Sequence, residues 1–338
     1  MKKRQFYRPQ IKRRYPRAPC YEPPHLCTPI PGYNPPVAVF WNRRSFLVAC
    51  GGAMGARAAS RQVVDTHIHL YDPERSGGIP WPPKSDALLY RRVLPGDFKS
   101  LVRPLGVTGT VVVEASPRLE DNQWVLDLAR DDPFLLGVVG NLQVEGFARN
   151  LDRFRQNPLF LGIRLNGGAI SRGETDTVFQ ENLRRLADAG LALDAIGNAG
   201  MILPLTRLMD RTPKLRVAID HMPMEPVGWR AEEGTRTALR ELARRPQVYA
   251  KVSGVLRRTG TAVATGAAEH KDALDEIWEM FGPNRVMYGS NWPVSDRLAP
   301  YATVLKVMQD YTAAGGPERT DQFFRANSKA CYRWADRA

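Results

Sequence analysis

From Arg61 onward the chain alternates β-like runs with amphipathic helical stretches, and this alternation limits the fold more than any other feature. The eight runs are VVDTHIH, GVTGTVVVEA, FLLGVVGNLQV, LFLGIRLN, LALDAIG, LRVAIDHM, VYAKVSG and RVMYGSNWP. Several are apolar at consecutive positions, as strands are when helices cover one face and a packed interior the other. The helices between them carry their own stops. NQWVLDLARDDP ends at Pro133, TDTVFQENLRRLADAG has Thr175 or Thr177 as its cap and Gly190 as its stop, and EHKDALDEIWEMFGP ends in Gly282-Pro283. Eight such units predict an α/β fold, a single-domain (β/α)8 TIM barrel, over residues 61–338. A doubly wound open sheet is the alternative, but no G-x-G-x-x-G or G-x-x-x-x-G-K-[ST] follows any strand, so no phosphate cradle accompanies it.

The net charge of +13 on 338 residues suggests a nucleic-acid surface until it is located. Residues 1–44 hold ten Lys/Arg against one Glu, which leaves only +4 for the rest of the chain. Nine of the 27 prolines fall between Pro9 and Pro36. Residues 1–41 therefore read as a disordered basic tail or a translation start assigned too far upstream, and no nucleic-acid partner is expected. Residues 42–60, NRRSFLVACGGAMGARAAS, resemble a twin-arginine export signal: Arg43-Arg44, a short apolar run, and small residues at Ala56 and Ala58. They predict a periplasmic or exported protein, with a cytoplasmic one as the alternative. The apolar run is too short for stable membrane insertion. Beyond Cys50 the only cysteine is Cys331, so the barrel has no disulfide framework and no cysteine metal site.

Chemistry in such a barrel gathers at the carboxyl ends of strands. Those ends carry His67 and His69 on the first strand, Glu114 on the second, Arg164 and Asn166 on the fourth and Asp194 on the fifth. The sixth carries His221, the seventh Lys251 and Ser253, and the eighth Ser290 and Asn291. Three of the chain's five histidines fall in this set. Period-two geometry predicts that Asp65, His67 and His69 share one face, opposite Val64, Thr66 and Ile68. An H-x-H pair with a third His arriving from across the barrel points to a divalent metal, and zinc with one open position suits it.

The motifs VVDTHIHLYDP, GGIPWP, GIRLN, AIDHMP and RVMYGSNWPVSD resemble the amidohydrolase-related family of metal-dependent TIM-barrel hydrolases, in its sugar-lactone and dicarboxylate-lactone branch. The resemblance runs from Val63 to Arg333. It implies that His67 and His69 ligate metal or bind substrate, and that His221 polarises the substrate carbonyl or joins the metal shell. Where the family carries an Asp on the eighth strand as metal ligand and proton acceptor, this chain has Asn291. Asn291 can offer a carbonyl oxygen to a metal but takes no proton near neutral pH. Proton transfer then falls to His221, Glu114 or Asp296. Family members with a lysine-bridged metal pair place that lysine on the fourth strand, where Arg164 stands, so a single metal or none is expected.

Lys251 is expected to hold a substrate oxygen or an internal carboxylate such as Asp194. Arg164 is expected to clamp a substrate carboxylate or carbonyl, or to pair with Glu114. Trp81 and Trp292 are expected to line an apolar wall for a sugar ring. The reading is a metal-dependent hydrolase that opens a cyclic ester, with a small molecule as its partner. A non-oxidative decarboxylase and a binding-only relative lacking the base are the alternatives.

Overall fold

The computed structural model describes residues 62–222 and 233–337. The tail of residues 1–41, the export-signal segment up to Ser60 and most of residues 221–226 lie outside them. Eight strands form one sheet: β1 (Val63–Ile68), β2 (Val107–Val113), β3 (Leu135–Gly140), β4 (Phe160–Asn166), β5 (Ala192–Ile196), β6 (Arg216–Ile219), β7 (Val248–Val252) and β8 (Val286–Tyr288). Each pairs in parallel with the next in sequence. Asn291 N–H donates to His67 O (2.8 Å) and His69 N–H to Trp292 O (2.9 Å), which joins the end of β8 to β1. That seam excludes the open-sheet alternative. Among the described residues, no helix is long and apolar enough to cross a membrane.

Alternation along each strand sorts side chains into two layers. Val64, Val111, Val139, Ala192, Ala218, Tyr249 and Met287 fill the floor of the barrel. Val112, Ile163, Leu193, Val217, Ala250 and Val286 face outward into the larger core shared with the helices. The helix Thr177–Asp188 shows how local chemistry sets the outer ring, and here the structure corrects the expected cap. Asp176, flanked by the two threonines, accepts from Val178 N–H (2.9 Å) and Phe179 N–H (3.1 Å). Its carboxylate offers the stronger acceptor to those free N–H groups.

The first strand also departs from simple alternation. Its register against β2 shifts between Asp65 and Ile68, so the interior positions are Val64 and then His67, three residues apart. Asp65 therefore does not share a face with the histidines. It turns outward and accepts from Ser290 N–H (2.9 Å), His67 N–H (3.1 Å) and the Tyr301 hydroxyl (3.0 Å) on the helix Tyr301–Ala313. This one carboxylate fastens β1, the end of β8 and the outer helix at the barrel seam.

Burial pushes the Asp65 carboxyl up to about 6, although all three donors draw it down. A raised carboxyl is penalised when ionised, so its contribution to stability falls as pH climbs from about 4 through about 6, by roughly 3 kcal/mol. Asp65→Ala should cost about 3 kcal/mol or more, since it strands three buried donors. Asp65→Asn should keep the two backbone bonds and shed the pH term. Thermal melts at pH 4 and pH 8 check this: the Asn variant should gain on the native protein as pH rises, and a pH-independent difference would sink the assignment.

Candidate active site

Three histidines meet at the carboxyl end of the barrel. The His67 ring is fully buried, with its centroid 5.1 Å from His69 and 4.6 Å from His221. Gly289 makes room for it, because a Cβ there would lie 2.7 Å from His67 Cβ. His221 and Met222 both have φ of 55°, a left-handed turn that begins one residue past β6. Ser253 supports that turn by accepting from His221 N–H (3.0 Å), and its hydroxyl also contacts His221 Nδ1 (3.1 Å). Asn291 is left-handed as well, at φ 62°. Its amide and the His221 ring flank Gly254, where a Cβ would lie 3.8 Å from Asn291 Nδ2 and 3.7 Å from His221 Nδ1.

His69 is in a defined protonation state. Its Nδ1 contacts Val113 O (3.1 Å), and a carbonyl only accepts, so the proton sits on Nδ1 and Nε2 carries the lone pair. Burial, with Arg164 adding to it, lowers the His69 pKa to about 3. Burial likewise lowers His221 to about 4 and holds His67 well below the usual range. All three rings are neutral near pH 7, the form that ligates metal.

Beneath the rings lies a buried set of charges. Lys251 pairs with Asp194 and, at 3.1 Å, with Asp220, all three being inaccessible at their side chains. Asp220 in turn lies 3.5 Å from His67 Nδ1, and with the ring neutral the two form no ion pair. Burial pushes Asp194 up to about 6 against the pull of Lys251. Burial would raise Asp220 too, but Lys251 and His67 outweigh it and hold its carboxyl well below the usual range. For Lys251 burial acts downward, and the two carboxylates more than reverse it. Within this set of three, one ammonium between two carboxylates leaves one negative charge in excess, which favours a cation beside it.

The same place carries unpartnered donors. Among the described residues the two ring nitrogens of His67 and Asp220 Oδ2 have no hydrogen-bond partner and Asp220 Oδ1 has only the Lys251 ammonium, and one ligand atom each from His67, Asp220 and His221 lies within 4.8 Å of the others. Neutral imidazoles, an ionised carboxylate and a surplus negative charge fit a divalent ion. His69 stands just outside this triad. Asp220 joins the metal-competent set.

The other expected residues divide. Arg164 is committed to Glu114: Nε donates to Oε1 and Nη2 to the backbone oxygen, both at 2.8 Å. Trp81 stands edge-on to His69 at 5.6 Å, at the rim of the site. Trp292 does not line a wall. It is 3% exposed and packs against Phe98 of the outer helix Pro95–Val102, 5.1 Å between centroids. Lys251 cannot meet a substrate, being sealed between its carboxylates, so its place is internal. Asp296 pairs with Arg91 at 3.4 Å, both side chains partly exposed.

Two participants escaped the sequence reading. Asp220 was visible in AIDHMP beside His221, and the strand parity that places Lys251 inward places it inward too. Tyr332, whose hydroxyl donates to Asp194 (2.7 Å), gave no sign, because it follows the last strand on a short helix.

A family model described as Amidohydrolase matches residues 64–334. An L-fucono-1,5-lactonase of Burkholderia ambifaria is 32% identical over 246 residues, covering 70% of this chain and 81% of that protein. A D-galactarolactone isomerase of Agrobacterium fabrum is 25% identical over 251 residues, covering 70% of this chain and 78% of that one. Among solved structures, an amidohydrolase from Burkholderia multivorans with bound zinc superposes with a TM-score of 0.70 at 22% identity, covering 81% of this chain and all of that one.

Proposed function

This chain belongs to the amidohydrolase family, and from that premise we propose that it hydrolyses a small, neutral cyclic ester of the sugar-lactone class. The observation that carries the substrate class is the pairing of Arg164 with Glu114. An arginine that gives two donors to its neighbour is poorly placed to clamp a substrate carboxylate, so a sugar lactone suits the mouth better than a dicarboxylate one. The curated lactonase relative supports the same class.

A divalent ion held by His67, Asp220 and His221, for which zinc fits the donors, would supply Lewis acidity toward the ester carbonyl. The protein's own groups do the rest. Asn291, unable to take a proton, donates its amide N–H to the carbonyl oxygen as negative charge gathers there. His69 accepts a substrate hydroxyl at its Nε2, and Trp81 forms the apolar side of the ring's seat. Glu114 uses its Oε2, not engaged by Arg164, to take the proton of the attacking water and return it to the ring oxygen as the C–O bond breaks.

A panel of lactones with a pH indicator tests the reading. Zinc-loaded protein should release one proton per neutral sugar 1,5-lactone opened and act more slowly on a dicarboxylate lactone. Isomerisation of the ring releases none, so turnover without acid would replace hydrolysis with that activity. Asn291→Asp should tighten zinc by adding a negative charge beside the ion, yet lower kcat by about 100-fold through loss of the donor. A faster Asp variant would show that position 291 is wanted as a base.

A further inference from the structure

Tyr332 belongs to the helix Asn327–Tyr332, beyond the last strand, but its side chain lies inside the barrel. It is 1% exposed and packs among Val64, Ala218, Tyr249 and Met287 on the floor. Its hydroxyl donates to Asp194 Oδ1 (2.7 Å), and the Lys251 ammonium sits 5.2 Å from its ring centroid. Asp194 gives its other oxygen to Lys251, and Lys251 reaches Asp220 at 3.1 Å. A continuous buried line thus runs from the floor of the barrel to a carboxylate of the metal-competent triad.

We propose that Tyr332 is a positioning residue for that triad: by fixing Asp194 it holds Lys251 between two carboxylates and sets how much of Asp220 remains for a cation. The proposal rests on the reading that His67, Asp220 and His221 hold the ion. Without the phenolic O–H, Asp194 Oδ1 loses its anchor and the carboxylate is free to rotate away from Lys251. The ammonium then settles on Asp220, where it competes directly with a divalent ion for the same oxygens. The ring only packs, while the hydroxyl orients.

Tyr332→Phe keeps the ring and removes the hydroxyl. Zinc affinity of the full chain, measured by competition with a chromophoric chelator, should weaken about 10- to 100-fold, the usual effect of losing an outer partner of a metal ligand. Asp194→Asn, which frees Lys251 to bind Asp220 alone, should weaken zinc in the same direction, and the double variant should fall short of the product of the two. Native zinc affinity in folded Tyr332→Phe, or in Asp194→Asn should the first variant not fold, overturns the proposal. So does a native protein that takes up no zinc. Lactone opening with unshifted zinc affinity would sink the positioning role alone, whereas shifted affinity without lactone opening would sink only the assigned reaction.

Discussion

Lys251→Met should lower the stability of the barrel by about 3 to 5 kcal/mol, the cost of leaving buried charge uncompensated. At this chain length that corresponds to a melting point roughly 10 °C lower. The side chains are similar in length, so the loss is electrostatic rather than a cavity. Asp194 and Asp220 lie at either end of the ammonium, and all three side chains are inaccessible to water. A second substitution, Asp194→Asn, removes one of the two surplus charges and should restore a substantial part of the loss, a coupling a double-mutant cycle would read directly. Saturating zinc should raise the melting point of Lys251→Met more than that of the native protein, since the ion takes over part of the missing charge. A variant that melts with the native protein would mean that the carboxylates are protonated in the folded state.

Glu114→Gln should reduce kcat/KM for lactone opening by roughly 100- to 10,000-fold, the worth of a positioned proton acceptor. Gln retains an oxygen for Arg164 Nε, and the backbone bond to Nη2 does not depend on the side chain, so the clamp of residues 114 and 164 persists. Zinc content should be unchanged. Asp296→Asn is the matching control: Asp296 pairs with Arg91, both side chains partly exposed, so its loss should change the rate less than about threefold. The opposite pattern would move the base to Asp296.

The barrel was legible because eight strand patterns separated by capped helices leave few alternatives, and residues at strand ends inherit their location from that topology. What stayed hidden has definite physical causes. A register shift in β1 separates Asp65 from the histidines, and sequence parity carries no sign of it. Trp81 and Trp292 look alike as tryptophans before a proline, yet one edges His69 and the other packs outward on Phe98. Asp220 stood beside a more conspicuous histidine. Lys251 was correctly suspected of an internal partner at Asp194, but its second carboxylate came from the neighbouring strand.

Tyr332 gives the barrel a temporal order as well as a spatial one. Synthesis at 5–20 residues per second takes roughly 14 to 54 seconds to run from Val63 on β1 to Tyr332. Throughout that interval the floor of the emerging barrel lacks its aromatic plug, and Asp194 lacks the hydroxyl it accepts from. A nascent chain can pair its early strands before then, but Asp194 Oδ1 waits for its donor. On the role proposed for Tyr332, the centre is completed only after the eighth strand, and a chain stalled before that helix would carry His67, His69 and His221 without the hydroxyl that holds Asp194.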